Sequence, residues 1–436
     1  MNTNVQIITE LKDFLTKAST NREKYCCHEG AFTRTRKLSF DIVVLFIINL
    51  VKKSLAIELD GFFTLLHDKT APTKGAFSQA RYKLQAVFFQ DWNQCLLAEW
   101  YALNTNRMKR WKGFQLCAMD GTTVLLPDRA SIGEEFGCHF NQAGPFALAQ
   151  VMVCYDLLNG FCLQSNIAGA HADELSVALS WINHLPDNAL TLYDRGYASF
   201  ALIYLHTYFQ QDFLIRCQAN FNEAVRRFIN SNQQTVMATF SATSASHQRL
   251  QQLGLPSDQQ ATVEVRLVKV KLPNGETEVL ITSLHDEVEF PSALFKQLYC
   301  FRWGVETYYD RLKNQLQIEV FSGHKPQAIY QEFYAMIFLT NLRALLIEDC
   351  QAELARANRN RKYEHQINYN VALGLMKNQL VDLFVGENPA VIYQYLKSKF
   401  LKHTEAIRPH RSYPRDKRRH KRRGKYQTWG NYRRAM

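Results

Sequence analysis

The chain has 436 residues, 47% of them hydrophobic and 21% charged, which at roughly 100–200 residues per domain excludes both a single small module and wholesale disorder. Its longest apolar stretch, residues 40–51, is closed by Lys52 and Lys53 and falls short of the roughly 20 residues a spanning helix needs; the start, MNTNVQIITELKDF, lacks the basic-then-apolar order of a secretory signal, so cytoplasmic residence without a membrane partner is expected. The net charge of +12 is concentrated: residues 408–436 hold 12 of the 52 Lys and Arg and one of the 40 Asp and Glu, leaving 40 cations against 39 acids over the other 407 residues.

From residue 5 to about 105, apolar residues recur at three and four spacing, which predicts an all-helical N-terminal domain over 1–110. Within it, Ala71 to Phe89 places Pro and Gly ahead of a helix whose exposed face is expected to carry Lys74, Gln79, Arg81, Lys83 and Gln85, the residue types that reach phosphates and base edges. A helix-turn-helix-like DNA reader and an ordinary bundle helix both fit that pattern. The ten cysteines contain no C-x-x-C pair and read as reduced thiols, and Cys26-Cys27-His28 lacks zinc-ligand spacing.

At Phe114 the period changes. FQLCAMDGTTVLLP and ALAQVMVCYDLLNGFCLQSNIAG supply three strand-like runs, the last two joined through Asn159-Gly160, a hairpin signal. Asp173 then caps a helical run, ALTLYD gives a fourth strand, Ser199 opens another helix, and DFLIRC a fifth strand. The order βββαβαβ is that of a ribonuclease-H-like core, so the fold class expected is α/β, with the first part of the core at 111–217. Residues 218–290 form a β-rich insertion with two strands around Pro273-Asn274-Gly275. The rest of the core, 291–350, opens on a long helix through Leu316, with a further helix from Ala328 to Leu346. A C-terminal helical region, 351–407, precedes the basic tail, 408–436. The core of that tail, RDKRRHKRRGKY, suits neutralising nucleic-acid phosphates, with a merely solvated tail as the alternative.

Three carboxylates stand where such a core makes distant residues converge. Asp120 is expected at the end of the first strand, Asp194 at the end of the fourth, and Glu306 on the helix after the insertion. Glycine beside an acid leaves room for a hard cation, although Asp-Gly and Asp-Arg-Gly are also plain turn sequences. Around Glu306 the spacing is informative. Tyr299, Arg302, Glu306 and Lys313 fall at helical angles of about 0°, −60°, −20° and −40°, one face, suited to holding a phosphate chain beside a metal; a salt-bridged helix face is the plain alternative. His171, Asp173 and Glu174 read as a loop and helix cap rather than as a metal cluster.

The run YCFRWGVETYYDRLK (Tyr299 to Lys313) is Tyr-x2-Arg-x3-Glu-x6-Lys and resembles the signature of bacterial cut-and-paste DDE transposases of the insertion sequence four family. MDGTTV around Asp120 and YDRGYAS around Asp194 resemble that family's two aspartate blocks, in the right order, and the resemblance spans about residues 110–345. It implies a DNA transposase in which Asp120, Asp194 and Glu306 hold two Mg²⁺ ions, with Mn²⁺ as a substitute, for strand cleavage and strand transfer. It further implies that Tyr299, Arg302 and Lys313 grip the DNA backbone, that the transposon end passes through a hairpin with a flipped base, and that a homodimer joins terminal inverted repeats to target DNA. The insertion region, 218–290, holds no Trp to stack such a base, which leaves Trp303, Tyr308 or Tyr309. The alternatives are a structure-dependent nuclease without strand transfer and a non-enzymatic DNA-binding relic.

Overall fold

The computed structural model describes residues 2–49, 52–141, 144–271 and 275–408. Five helices come first: α1 (Thr3–Thr20), α2 (Phe40–Ile48), α3 (Leu55–Leu65), α4 (Lys74–Arg81) and α5 (Val87–Leu103). Asn2 starts α1 by accepting from the Asn4 and Val5 amides, and Thr73 starts α4 by accepting from Ala76. The central sheet and its helices follow, as β1 (Gln115–Leu125), α6 (Ala130–Phe136), β2 (Cys138–Asn141), β3 (Gly144–Asp156), β4 (Cys162–Gly169), α7 (Glu174–Trp181), β5 (Ala189–Tyr193), α8 (Phe200–Tyr208) and β6 (Asp212–Cys217). Asp173 caps α7 and Ser199 caps α8, as the sequence predicts. Gly160 turns the β3–β4 hairpin at φ +81°, a conformation glycine adopts without steric cost.

β1, β3 and β4 are antiparallel neighbours, and β5 and β6 run parallel to β1, giving the order β4–β3–β1–β5–β6. This is the ribonuclease-H-like arrangement. The next segment adds α9 (Glu223–Asn230), β7 (Thr235–Ser241), α10 (Ser244–Gln252), β8 (Thr262–Lys271) and β9 (Thr277–Thr282). Its strands do not make a separate sheet: β9 pairs with β6, so the core sheet continues as β6–β9–β8–β7. Val265, Leu267, Leu280 and Ile281 are fully buried, which explains why two alternating-looking runs were drawn onto an existing edge. Pro273 and Asn274 of the expected turn lie outside the described residues, as does the basic tail beyond Arg408.

The single long helix expected from 291 to 316 is three pieces. α11 (Ala293–Cys300) and α12 (Trp303–Asp310) meet at a joint where Phe301 and Arg302 bond three residues back, and α12 runs into a π-helical turn, Arg311–Gln315. α13 (Pro326–Glu348) is buried on nearly every side and is the central post of the molecule. α14 (Cys350–Asn358), β10 (His365–Ile367), α15 (Tyr369–Val385), α16 (Pro389–Lys402) and β11 (Thr404–Ala406) complete the chain. The N-terminal and C-terminal helices form one layer on α13: α5 packs along α13, Trp92 stacks on Phe338 at 4.0 Å, and α1 lies against α15 and α16. Among the described residues no helix is long and apolar enough to cross a membrane. All ten cysteines are free.

The expected reader helix is corrected by this packing. α4 ends at Arg81, and only Lys74 and Gln79 of the proposed face are exposed. Arg81 is 2% exposed and reaches α13 and the loop before it: Nη1 lies 3.1 Å from Glu332 and 2.9 Å from Ser322 Oγ, and Nε donates to Gln331 at 3.0 Å. Gln85 is turned back to the Cys26 carbonyl. A buried guanidinium with three partners is a strut of the fold, and it cannot read DNA from there.

Candidate active site

Asp120 sits in the middle of β1, not at its end. The parallel pairing of β1 with β5 stops at Ala118–Leu192, while β1 continues against β3 through Asp120–Val153, so Asp120 overlooks the crevice beyond the carboxyl end of β5. Asp194, the residue after β5, opens into the same crevice. Crevices at the carboxyl ends of parallel strands are where α/β sheets place ligands. The joint between α11 and α12 lies over it, and α12 packs on β1, with the Tyr309 hydroxyl donating to the Asp120 carbonyl at 2.6 Å.

Arg302 organises the acids. Its Nη2 donates to Glu306 Oε1 at 2.6 Å and its Nη1 lies 3.8 Å from Asp120 Oδ2, with the side chain 6% exposed. Burial opposes its charge, but Tyr299, Glu306 and Asp194 more than compensate, and its pKa is raised. Tyr299 lies with its hydroxyl 3.4 Å from Asp194 Oδ1 and from the Tyr193 carbonyl; burial, against the pull of Arg302, pushes its pKa up. Asp194 also faces Arg216 at 3.7 Å, and Arg216 is paired in turn with Glu278 on β9. Lys313 reaches across to β1, where Nζ meets Thr122 Oγ1 at 2.6 Å. Each of the four signature side chains therefore touches the acids or the strand that carries them.

One acid escaped the reading of the sequence. Glu174 fills the first turn of α7 as expected, but its carboxylate is turned inward. It accepts from the Tyr197 hydroxyl at 2.8 Å and from Gln150, and it crowds Gly121 so closely that a Cβ there would lie 2.3 Å from its Cδ. The glycine after Asp120 is needed for this approach, and that is the one trace of it in the sequence. Asp120 feels the result. Burial pushes its carboxyl up to about 6, Arg302 and the Gly121 amide pull it down, and Glu174 and Glu306 add to the rise.

Among the described residues no three His, Cys, Asp or Glu side chains stand close enough to hold a metal as they are placed, because the Arg302 guanidinium lies between Asp120 and Glu306. The donor set nevertheless fits a hard divalent cation. It consists of carboxylate oxygens, and the rise that burial imposes on the Asp120 pKa is only partly offset by Arg302 and the Gly121 amide. Of the aromatic candidates, Tyr308 is buried against Tyr155 with its hydroxyl on Thr340, and Tyr309 is buried on β1, so both are core. Trp303, next to Arg302, is 57% exposed.

Comparison with known proteins adds the following. The model of the Transposase DDE domain matches residues 111–342. Transposase InsG for insertion sequence element IS4 of Escherichia coli (strain K12) is 25% identical over 409 residues, covering 89% of this chain and 86% of that protein. A cryo-EM structure of piggyBac transposase, in a synaptic complex with hairpin DNA, aligns over 91% of this chain and 78% of that one, with a TM-score of 0.39 and 11% identity.

Proposed function

The chain belongs to the DDE transposases of the insertion sequence four family, enzymes of DNA phosphoryl transfer, and from that premise we propose that Asp120, Asp194 and Glu306 are its catalytic, metal-binding acids. The observation that carries the assignment is Arg302: one buried guanidinium bonded to Glu306 and facing Asp120, with Asp194 close enough to raise its pKa. A cation already sits among the acids, as the family's chemistry requires of a stronger one.

DDE transposases use divalent metals, and for this chain we take two Mg²⁺ ions, with Mn²⁺ substituting. When bound, the ions supply activation of a water or a DNA 3′-hydroxyl and stabilisation of the leaving oxygen in an in-line displacement at phosphorus. The protein's own groups do the rest. Arg302, released from Glu306, presents a planar fork to a backbone phosphate; Lys313 adds a point charge beside Thr122; and Tyr299 donates a hydrogen bond while it keeps Asp194 facing the crevice. Glu174, held by Tyr197 and Gln150, is a positioning residue that adds negative charge behind Asp120. Trp303 is the exposed ring beside these groups and is assigned to stack a base at a hairpinned transposon end. The helices of 1–110 hold the terminal inverted repeats. Joining two ends requires two active sites, hence a homodimer.

A labelled duplex carrying the element's own ends tests this reading, with nicking, hairpin formation and joining to target DNA followed in Mg²⁺. Glu306→Ala is expected to abolish all three while leaving duplex binding intact. Cleavage without joining points to a nuclease, and metal-insensitive binding without cleavage overturns the assignment.

A further inference from the structure

On the far side of the signature helix lies a second concentration of positive charge. A cavity of about 260 Å³ is enclosed by the β3–β4 turn, the end of α13 and the start of α15, and both Arg343 and Arg311 line it. Arg343 is 5% exposed, its Nε is buried without a partner, and among the described residues its side chain makes no hydrogen bond or ion pair. Its Cζ lies 3.2 Å from the centre of the Tyr369 ring, and that of Arg311 lies 4.5 Å from the same ring. The Tyr369 hydroxyl is likewise buried and unpartnered. Lys109 stands exposed at the rim.

Aromatic faces do not account for this arrangement. A cation over a ring gains about 0.5–2 kcal/mol, whereas taking a charge out of water costs several, and here two guanidiniums share one ring and repel each other. Burial lowers the Arg343 pKa, and Arg311 lowers it further. The nearby acids are engaged elsewhere: Glu348 bonds Trp100 Nε1 at 2.8 Å and faces Arg107, and Asp156 accepts from Tyr101, Gln115 and Asn159. The basic tail has the wrong sign to fill the cavity.

We infer that this cavity is an oxyanion site for a phosphate group, held by Arg343 and Arg311 with Lys109 at its mouth. Two guanidinium forks match phosphate geometry, and the cavity admits a phosphate with its linking atoms and excludes a base pair. Arg311 follows Glu306 by five residues, about 140° around the helix, so the site is separate from the catalytic acids. Because it joins the ends of α12 and α13 to α15, an occupant fastens the C-terminal helices to the core. The phosphate comes either from a DNA backbone or from free phosphate.

The test uses the full chain without Mg²⁺. Its melting temperature is followed against inorganic phosphate at ionic strength held constant with NaCl, for the native chain, Arg343→Met and Arg311→Gln. The native chain is expected to be stabilised progressively, as mass action requires of a ligand bound only by the folded form. Neither variant should respond, whereas Glu306→Ala should respond like the native chain, which keeps this result independent of the catalytic assignment. Should Arg343→Met fail to fold, Arg311→Gln, half-buried, carries the test. Equal stabilisation by phosphate and chloride, or an unchanged response in Arg311→Gln, overturns the inference. The source follows from duplex binding against salt: a backbone phosphate in the cavity lowers the slope of Arg311→Gln by about one and is displaced by free phosphate, while a free anion leaves that slope unchanged.

Discussion

Replacing Arg81 with Met tests whether α4 is a strut or a DNA reader. The side chain is 2% exposed and makes one ion pair, with Glu332 at 3.1 Å, and hydrogen bonds to Ser322 and Gln331. Losing one partner of a buried pair costs about 3–5 kcal/mol, mostly as the charge left behind. Here Glu332 keeps the Ser322 amide at 2.8 and 2.9 Å and its hydroxyl, so the lower part of that range, about 3 kcal/mol, is expected. Urea unfolding followed by tryptophan fluorescence reports it well, because Trp92 is stacked on Phe338 of the same helix that carries Glu332. The double variant Arg81→Met/Glu332→Met should recover most of the loss, since apolar replacement of both partners leaves no orphan charge. Lys74→Ala, on the exposed side of α4, should be neutral. An unchanged midpoint for Arg81→Met, combined with weakened binding to the element's own ends, would refute the strut and restore the reader.

Acid should destabilise the core through His206, which is fully buried against the Tyr193 hydroxyl and whose pKa burial lowers from 6.5 to about 3. The unfolded chain takes up this proton below about 6.5 and the folded chain does not until about 3, so stability present above 6.5 falls between those values. At about 1.4 kcal/mol per pH unit the loss reaches about 2 kcal/mol at pH 5; the urea midpoints of His206→Gln should lack that part of the pH slope, and equal slopes count against it. Glu174→Gln is expected to raise the Mg²⁺ concentration needed for half-maximal cleavage about 10–100-fold, as for residues that orient metal ligands. Gly121→Ala should do the same by displacing that carboxylate, whereas a normal Mg²⁺ titration for both leaves Glu174 without a role. For Trp303→Ala, a loss of about 1–3 kcal/mol in binding to the hairpinned end, with no change on intact duplex, is the expected outcome of a fluorescence titration; equal loss on both contradicts base stacking.

Much of this architecture was legible because it depends on local signals. The hairpin glycine at 160, the caps Asp173 and Ser199, and the apolar runs of β1, β3 and β5 each act within a few residues, and together they trace the ribonuclease-H-like order. The signature spacing was legible for a similar reason: seven-residue offsets keep Tyr299, Glu306 and Lys313 on one side, with Arg302 four residues before Glu306, even though the helix is jointed and ends in a π turn. Long-range charge pairing was not. Nothing near Arg81 in sequence hints at Glu332, and its place on an amphipathic-looking helix suggested exposure. Glu174 was masked by a local rule, because an acid in a first helical turn already has an explanation. The strands of the insertion carry no mark of the partner edge they choose, so their joining to β6 appears only in three dimensions.

The most direct measurement is strand cleavage by Asp120→Cys, Asp194→Cys and Glu306→Cys, each assayed in Mg²⁺ and in Mn²⁺. Thiolate is a poor ligand for the hard Mg²⁺ ion and a better one for the softer transition metal. If these side chains hold the ions, activity in Mg²⁺ should be lost and activity in Mn²⁺ restored at least in part, for each position. Retained cleavage in Mg²⁺, or a metal preference unchanged from the native chain, would contradict the assignment of the three acids.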